Sequence, residues 1–352
     1  MSTQPEYDSI KVASHMPLVY KPNFWDPKKA YMNYVPDTDA AFREGVEYAI
    51  KNKLETANQL MEKGISHALM LTDLQEAFRD FGELGVNGTD TVVLRVAARL
   101  INGIIMGYYT IIVYSKDGHP IIHISFDTYW RDHKGRPLDL SKRKAACLTL
   151  NGGSEKRCVF RAYGFEPDGS QVDLGFYQPQ FDPYDAVDYW KHLQATGQGD
   201  IWVFVSHAVD GTHGSNVHPF LFETMAFASG ARSILPRPVF KGHIIGTDWF
   251  GPLEPCRIDS DHPQGRFQKK VIDDCFKPAL TVDEAGVAGD FCEYFMKEQV
   301  MKYLAGTEHI NKLRFSDDWT ANIVPDNPKV AEQKQRAMAA GIQYINHDDP
   351  LN

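Results

Sequence analysis

HALMLTD (His67–Asp73) is a short, mostly apolar run that stops at an acidic residue. A strand that is buried on both faces of a parallel sheet has this pattern. The run YTIIVYS (Tyr109–Ser115) repeats the pattern and is soon followed by Asp117. Between the two runs, Thr89–Met106 has apolar residues at the spacing of a helix. These stretches predict a strand–helix–strand unit with an acidic side chain at the end of each strand.

The same alternation continues downstream. The expected strands are Ile201–Ser206, Pro238–Lys241, a weak one before Gly286, Lys312–Ser316 and a short one ending at Ile345, and the expected helices are His218–Ser229, Phe267–Phe276, Phe291–Leu304 and Pro328–Ala340. Strands that alternate with helices form right-handed crossovers. We therefore predict an α/β fold, a three-layer sandwich with a mainly parallel, Rossmann-like central sheet. Ligands of such sheets bind at the carboxyl ends of the strands.

Residues outside this alternation lie at the N-terminus and in one long insertion. We expect residues 1–65 to form an arm and then one amphipathic helix, whose apolar face runs from Phe42 to Met61. Residues 66–346 form the predicted core. Within the core, residues 128–200 are polar, rich in Gly, Pro and Asp, and too long for an ordinary loop. We predict that they form an inserted lid or subdomain.

The composition limits the expected partners and compartment. Of the 352 residues, 37 are Lys or Arg and 46 are Asp or Glu, which gives a formal net charge of −9. A negative chain is a poor partner for nucleic acid or an anionic membrane, so we expect neither. The cysteines follow no disulfide or zinc-thiolate spacing, and we find no secretory signal pattern or apolar run of membrane-spanning length. We expect a cytoplasmic protein with at least one free thiol.

Several predicted strands end in residues that can do chemistry, and one predicted helix begins with such a residue. The strand-end residues are Asp73, Asp117 with His119, His207 and Lys241, and the helix residue is Cys292. At a helix N-terminus, free backbone N–H groups and the helix dipole favour a thiolate and can hold an oxyanion. Cys292 is therefore either a nucleophile or, like most lone cysteines, a buried inert thiol.

Asp117, His119 and His207 offer one oxygen and two nitrogen ligands. This set suits Zn²⁺ or Fe²⁺ and leaves positions open for water. The alternative is that Asp-Gly-His is an ordinary turn, because Asp and Gly both favour turns. His123 is either a further ligand or a histidine on a buried segment, and the sequence leaves both open.

Five motifs, taken in order, point to a known family. They are LTDLQEAF (Leu71–Phe78), SKDGHPIIHISF (Ser115–Phe126), FVSHAVDGTHGSNVHP (Phe204–Pro219), VFKG (Val239–Gly242) and AGVAGDFCEYF (Ala285–Phe295). Together they resemble the nicotinamidase/isochorismatase-like family of cysteine hydrolases. The resemblance extends over most of Ser66–Asn346 apart from the insertion, and implies the isochorismatase-like form of the three-layer fold. The arm and the insertion resemble additions carried by larger nicotinamidase-related hydrolases.

The resemblance implies hydrolysis of a small amide through a thioester. Asp73 would take the proton of the Cys292 thiol and return it to ammonia, while Lys241 balances the charge. The N–H groups of Ala288 and Cys292 would hold the oxyanion, next to a peptide that is commonly cis in this family. Nicotinamide, a small heteroaromatic amide, is the leading substrate candidate.

The resemblance also implies a metal and a flat substrate. Asp117, His119 and His207 match the family's ligands for a divalent metal ion, either Zn²⁺ or Fe²⁺. The candidates to stack on a flat substrate ring are Phe78, Phe204 and Trp249. The alternative for each of these aromatic residues is an ordinary place in the core.

Parts of the sequence depart from the family pattern. GTDWFGPLEP (Gly246–Pro255) replaces the usual residues after the lysine, so we expect a different substrate pocket. Asp283 and Glu284 stand where a buried strand should be apolar, which means either a shifted register or a polar interface. Glu293 directly follows Cys292, where a negative charge raises the cysteine pKa unless Lys241 compensates.

Other functions stay open. The chain could hydrolyse another small substrate on the same fold, such as a carbamoyl compound or an isochorismate-type vinyl ether. It could instead be a catalytically silent binding protein, or the metal centre could be hydrolytic and Cys292 structural. The family is often oligomeric, so a homo-oligomer is open as well.

Overall fold

The computed structural model describes residues 17–152, 158–166, 170–259, 261–262, 265–324, 327–346, 349 and 351. The start of the predicted N-terminal arm, residues 1–16, lies outside the described residues. From residue 17 to residue 37 the arm is irregular, as predicted, apart from one 3₁₀ turn at Pro27–Tyr31. Within the described part of the chain, every helix is too short or too polar to cross a membrane.

Eleven strands lie within the described residues. In chain order they are β1 (His67–Thr72), β2 (Tyr109–Asp117), β3 (Trp130–Arg131), β4 (Ala145–Leu150), β5 (Phe160–Phe165), β6 (Gln171–Pro179), β7 (Ile201–Phe204), β8 (Arg237–Lys241), β9 (Thr281–Val287), β10 (Leu313–Ala321) and β11 (Gln343–Tyr344). Six of them form one parallel sheet in the order β11-β10-β9-β1-β2-β8. The predicted α/β fold with a mainly parallel central sheet is confirmed.

Helices cover both faces of this sheet. The α-helices of the described residues are α1 (Thr38–Asn52), α2 (Ala57–Glu62), α3 (Thr89–Met106), α4 (Pro183–Ala195), α5 (Pro219–Arg232), α6 (Lys269–Val271), α7 (Cys292–Leu304) and α8 (Pro328–Ala339), and a π-helical turn at Ile272–Phe276 extends α6. Side chains of β1 alternate between two cores. Leu69 and Leu71 belong to the core that holds α3 and α5, whereas Ala68 and Met70 belong to the core that holds α6 and α7. The sheet is therefore the middle of three layers.

A second, antiparallel sheet is built largely by the predicted insertion. β3 to β6 and α4 lie within it, and the strands pair in the order β3-β6-β5-β4-β7. The predicted strand at Ile201–Ser206 exists as β7, but its expected place in the parallel alternation is wrong, because β7 pairs antiparallel with β4. A short buried strand has the same apolar pattern in both kinds of sheet, so the pattern does not distinguish them.

The single predicted N-terminal helix is in fact two helices, α1 and α2, and the second begins at an N-cap, Thr56. The predicted apolar face is also wrong, since Phe42 is 43% exposed and Ile50 is 74% exposed. The buried face of α1 includes Gly45, which lies so close to α5 that a Cβ atom there would be 2.3 Å from the carbonyl oxygen of Phe227. Close packing of two helices selects small residues, and this requirement overrides the spacing of the larger apolar ones.

The acidic residues of β9 point into polar surroundings, which confirms the second of the two expected explanations. Asp283 accepts hydrogen bonds from Arg99 at 3.1 Å and from Arg314 at 2.6 Å. Glu284 accepts a 2.7 Å hydrogen bond from the hydroxyl of Thr72. Both acids are fully buried and pair in regular register with β1. Their partners lie far away in sequence, so they could not be found from the local pattern.

Candidate active site

The candidate site lies where β9, β1, β2 and β8, four neighbouring strands, reach their carboxyl ends. Asp73 follows β1, and its Oδ1 accepts a 2.5 Å hydrogen bond from the hydroxyl of Ser115. Its Oδ2 lies 2.8 Å from the Nζ of Lys241. The same Nζ lies 3.2 Å from Asp117 Oδ2 and donates a 3.1 Å hydrogen bond to the carbonyl of Trp249. The structure thus brings the predicted Asp73 and Lys241 into one buried ion pair.

Cys292 begins α7, as predicted, and faces this ion pair. Its Sγ lies 3.8 Å from the Nζ of Lys241, the same ammonium group that lies 2.8 Å from Asp73 Oδ2. The turn before it contains a cis peptide bond between Val287 and Ala288, as expected from the motif. Among the described residues, neither the Ala288 N–H nor the Cys292 N–H donates a hydrogen bond. Two N–H groups are therefore free to bind a ligand oxygen.

Burial and charge act against each other in this cluster. Burial raises the pKa of Asp73, and Lys241 opposes that rise. Burial also raises the pKa of the Cys292 thiol well above its ordinary value, and Asp73 adds to the rise. Burial lowers the pKa of Lys241, but Asp117 and Asp73 outweigh burial and raise it. The result is an ammonium group held by carboxylates next to a thiol that keeps its proton until a base removes it.

Asp117, His119 and His207 converge, with ligand atoms that all lie within 4.8 Å of one another. The Nδ1 of His119 lies 3.1 Å from the carbonyl oxygen of Gly242, and the Nδ1 of His207 lies 2.8 Å from that of Val205. A carbonyl oxygen only accepts hydrogen bonds, so each Nδ1 carries a proton and each Nε2 is the ring atom left to act as a ligand. The Nε2 of His119 hydrogen-bonds to Asp117 Oδ2; burial lowers the pKa of His119, but Asp117 outweighs burial and raises it. Both Nε2 atoms face Asp117 Oδ2, at 3.1 and 4.0 Å.

The surroundings of these three residues fit a divalent cation. Asp117 Oδ1 is buried and has no hydrogen-bond partner in the described part of the chain. Burial and the neighbouring His119 lower the pKa of His207 to about 3, so its ring is neutral, as a ligand must be. The backbone at Gly242 passes so close to Asp117 that a Cβ atom on residue 242 would lie 2.4 Å from Asp117 Oδ1. The φ of 86° at this position also favours glycine. One carboxylate and two imidazoles suit Zn²⁺ or Fe²⁺.

His123 lies beside the three converging residues and not among them. Its ring centroid is 4.4 Å from that of His119, and its Nδ1 accepts a 3.2 Å hydrogen bond from the N–H of Ser125. Burial and His119 lower the pKa of His123 well below its ordinary value. His123 is therefore a neutral imidazole packed against a candidate ligand.

A small cavity connects the thiol with the candidate metal site. Its lining residues are Phe78, Leu84, Val86, Asp117, His119, Phe204, His207, Asp248, Phe250, Ala288, Phe291, Cys292 and Ile323. Phe78 and Phe204 line it, as expected for substrate contacts, but Trp249 does not. The Trp249 ring is buried, and the neighbouring Phe250 lines the cavity in its place. The cavity volume is about 30 Å³. A space of this size holds one or two water molecules, so a substrate has to displace the surrounding rings.

Asp248 is a site residue that the sequence reasoning missed. It lines the cavity, and its Oδ2 accepts a 2.5 Å hydrogen bond from the hydroxyl of Ser125. Its Oδ1 accepts a 2.7 Å hydrogen bond from the N–H of Trp249, and burial raises its pKa. The one signal in the sequence that pointed to Asp248 is the unusual segment GTDWFGPLEP (Gly246–Pro255), which contains it. A loop sequence alone does not show which of its side chains enters a cavity.

Comparison with known proteins finds similar structures and no match in sequence. No protein-family model matches the chain, and no curated protein matches it. Over 80% of its length the chain is similar to yeast nicotinamidase bound to the inhibitor nicotinaldehyde, with 15% identity, 99% of that chain covered and a TM-score of 0.48. A nicotinamidase/pyrazinamidase from Acinetobacter baumannii has 18% identity, 97% coverage of that chain and a TM-score of 0.49. A pyrazinamidase from Pyrococcus horikoshii in complex with zinc has 14% identity, 98% coverage of that chain and a TM-score of 0.43.

The chemistry of this chain has to be argued from its own residues. Its fold and site define a three-layer α/β protein in which a thiol, a carboxylate and an ammonium group meet beside a candidate metal site.

Proposed function

We propose that this protein is a cysteine amidohydrolase that cleaves a small aromatic amide to the acid and ammonia. The observation that carries the proposal is the buried contact of Lys241 Nζ with Asp73 Oδ2 at 2.8 Å and with Cys292 Sγ at 3.8 Å. A base, a cation and a nucleophile thus meet, and the nucleophile lines a cavity. Cleavage of an amide through a covalent intermediate requires these groups.

Formation of the thioester uses Asp73 first as a base and then as an acid. Asp73 takes the proton of the Cys292 thiol as the sulfur forms a bond to the amide carbon. The carbonyl electron pair moves onto oxygen, where the N–H groups of Ala288 and Cys292 donate hydrogen bonds to it. Asp73 then gives its proton to the amide nitrogen, the C–N bond breaks, and ammonia leaves.

Hydrolysis of the thioester repeats these roles with water as the nucleophile. Asp73 takes a proton from the attacking water, and the same two N–H groups hold the second oxyanion. When the C–S bond breaks, the sulfur regains a proton from Asp73 and the carboxylic acid is released. Lys241 stays an ammonium throughout, since its carboxylate neighbours raise its pKa. It therefore keeps the two buried carboxylates compensated and orients Asp73.

Asp117, His119 and His207 would hold a divalent cation, Zn²⁺ or Fe²⁺, next to the cavity. Bound there, the ion would supply a Lewis acid that binds a substrate nitrogen or polarises water. The backbone carbonyls of Gly242 and Val205 fix the two imidazole rings, so the donors are oriented before the ion binds.

The cavity favours a small flat substrate. The rings of Phe204 and Phe291 meet edge to face with centroids 5.4 Å apart, and Phe250 lies 6.3 Å from Phe204. Aromatic walls of this kind bind a planar ring by stacking and edge contacts. Nicotinamide, with its flat ring, ring nitrogen and primary amide, is the leading candidate. The predictions of a cytoplasmic location, a homo-oligomer and no nucleic-acid or membrane partner stay predictions.

Ammonia release from a panel of small amides, with zinc or iron supplied, tests the proposal. Cys292→Ala should abolish ammonia release and leave the urea unfolding midpoint nearly unchanged. Cys147→Ala, which alters another free cysteine, is the matched control and should retain activity. A metal-loaded wild type with a free thiol that releases ammonia from no amide would count against the proposal. Activity that survives in Cys292→Ala would instead indicate hydrolysis at the metal centre.

A further inference from the structure

A second and larger cavity lies on the other side of strand β2. Its volume is about 410 Å³, within the usual range of roughly 300–1,000 Å³ for small-molecule sites. Its lining includes Glu76, Tyr114, Lys116, His213, Phe222 and Phe240. None of the residues that the proposed reaction uses is among them. We refer to this space as the second cavity.

The alternation of side chains along β2 explains why the two cavities are separate. Successive residues of a strand point to opposite faces of the sheet. Ser115 and Asp117 face the candidate active site, where they contact Asp73 and Lys241. Tyr114 and Lys116 line the second cavity. One strand therefore supplies both sites.

Lys116 is the uncompensated charge of the second cavity. It is half-buried, and among the described residues its Nζ has no hydrogen-bond or ion-pair partner. The one acidic residue of the lining, Glu76, is already paired through Oε2 with Arg79 at 3.3 Å and with His213 at 3.2 Å. Its Oε1 is buried and has no hydrogen-bond partner among the described residues. Charge complementarity therefore favours an anionic ligand.

Aromatic side chains stand around this lysine. Phe240 is the register partner of Lys116 on the neighbouring strand β8 and is 45% exposed. Phe222 of α5 is 41% exposed and lines the same cavity. The hydroxyl of Tyr114 has no hydrogen-bond partner in the described residues and offers a donor near the lysine. Exposed rings next to unpaired polar groups are typical of binding sites.

We propose that the second cavity binds a small aromatic carboxylate. The carboxylate receives hydrogen bonds from the Lys116 ammonium and the Tyr114 hydroxyl, and the ring packs between Phe222 and Phe240. A charge-assisted hydrogen bond fixes the acid group, and the burial of apolar ring surface adds affinity. The inference rests on the cavity alone and does not depend on the proposed amide hydrolysis.

Isothermal titration of the full chain with benzoate tests this site. The protein is first alkylated at Cys292 with iodoacetamide, which blocks the candidate active site. Benzoate should still bind with one site per chain, and Lys116→Met should weaken binding about tenfold or more, the effect of losing a charge-assisted hydrogen bond. Phe240→Ala should also weaken binding. Lys51→Met, which changes an exposed lysine of α1, is the matched control and should bind like the parent.

Neutral and cationic analogues separate charge recognition from ring packing. Benzamide has nearly the same shape as benzoate and no charge. It should therefore bind at least about tenfold more weakly than benzoate. The proposal is overturned if benzoate does not bind at millimolar concentration, or if Lys116→Met binds it as well as the parent protein does. It is also overturned if benzylamine binds better than benzoate, or if binding to unmodified protein is lost on alkylation of Cys292.

Discussion

Lys241→Met is the substitution that the geometry of the site predicts to be most damaging. Methionine keeps an unbranched apolar stem and removes the ammonium group. The buried carboxylates of Asp73 and Asp117 then lose their shared cation, at 2.8 and 3.2 Å. The hydroxyl of Ser115 still donates to Asp73, but it carries no charge. Asp73 is then left in a buried site without a cation, whereas Asp117 keeps its 3.1 Å contact with the Nε2 of His119.

The expected loss follows from these distances. With an effective dielectric constant of about 20, the two attractions are worth about 6 and about 5 kcal/mol. Much of this is offset by the cost of removing three charges from water. Breaking a buried pair by deleting one partner costs about 3–5 kcal/mol, because an uncompensated charge stays behind. We expect a loss of this size in the free energy of unfolding, together with loss of ammonia release.

Urea unfolding at pH 7, followed by far-UV circular dichroism, measures this loss. The matched control is Lys270→Met, which removes an exposed lysine paired with Asp274 and should have a much smaller effect. The double variant Lys241→Met/Asp73→Asn should recover part of the stability but none of the activity, since the stranded carboxylate is gone. If Lys241→Met were no less stable than Lys270→Met, or kept its activity, the assignment of a buried, functional ion pair would be refuted.

Four further substitutions test the metal site and the buried titratable groups. His207→Asn should lower zinc affinity about tenfold or more, as measured by competition with a chelating dye, and unchanged affinity would contradict the ligand assignment. Glu284→Gln should change the free energy of unfolding by less than about 1 kcal/mol, because burial and Glu293 raise the Glu284 pKa well above its ordinary value and so favour the neutral form that glutamine resembles. By contrast, Glu293→Gln should cost about 3 kcal/mol in urea unfolding, because it removes the carboxylate 3.3 Å from the buried Lys297 ammonium; equal losses for the two variants would be inconsistent with this charge distribution. Burial and Arg314 lower the pKa of His67 to about 4 from the ordinary 6.5, so its stabilising contribution is complete above pH 6.5 and is lost as pH falls toward 4. His67→Gln should reduce the fall in the free energy of unfolding between pH 6.5 and pH 4. An unchanged pH dependence would argue against the lowered pKa of His67.

The parallel sheet and most of the site could be predicted from local sequence, for a physical reason. A strand buried on both faces is apolar along its whole length, so the polar residue that ends it is easy to recognise. Asp73, Asp117 and Lys241 were found in this way, because all three lie at strand ends that meet at one edge of the sheet. The start of a helix located Cys292 by similar reasoning.

The parts that could not be predicted depend on partners far away in sequence. Asp283 looks misplaced in a buried strand until Arg99 and Arg314 are seen beside it. The buried face of α1 depends on how closely α5 approaches Gly45, which no spacing of large apolar residues reveals. The entry of Phe250 into the cavity, in place of Trp249, depends on the path of one loop.

The order of the strands explains why a lysine, and not a shorter cation, completes the site. Asp73 follows β1 and Lys241 ends β8, and β2 lies between these strands. Strands lie about 4.8 Å apart, so the two backbones are separated by roughly 10 Å. The four-carbon stem of lysine spans most of this distance and still leaves its Nζ 2.8 Å from the carboxylate. Strand β2 fills the gap with two short side chains, since Ser115 binds Asp73 and Asp117 binds the lysine. The thiol arrives from the opposite side, after β9. The carboxylate of Asp73 follows β1, β2 supplies a hydroxyl and a second carboxylate, and β8 supplies the ammonium group.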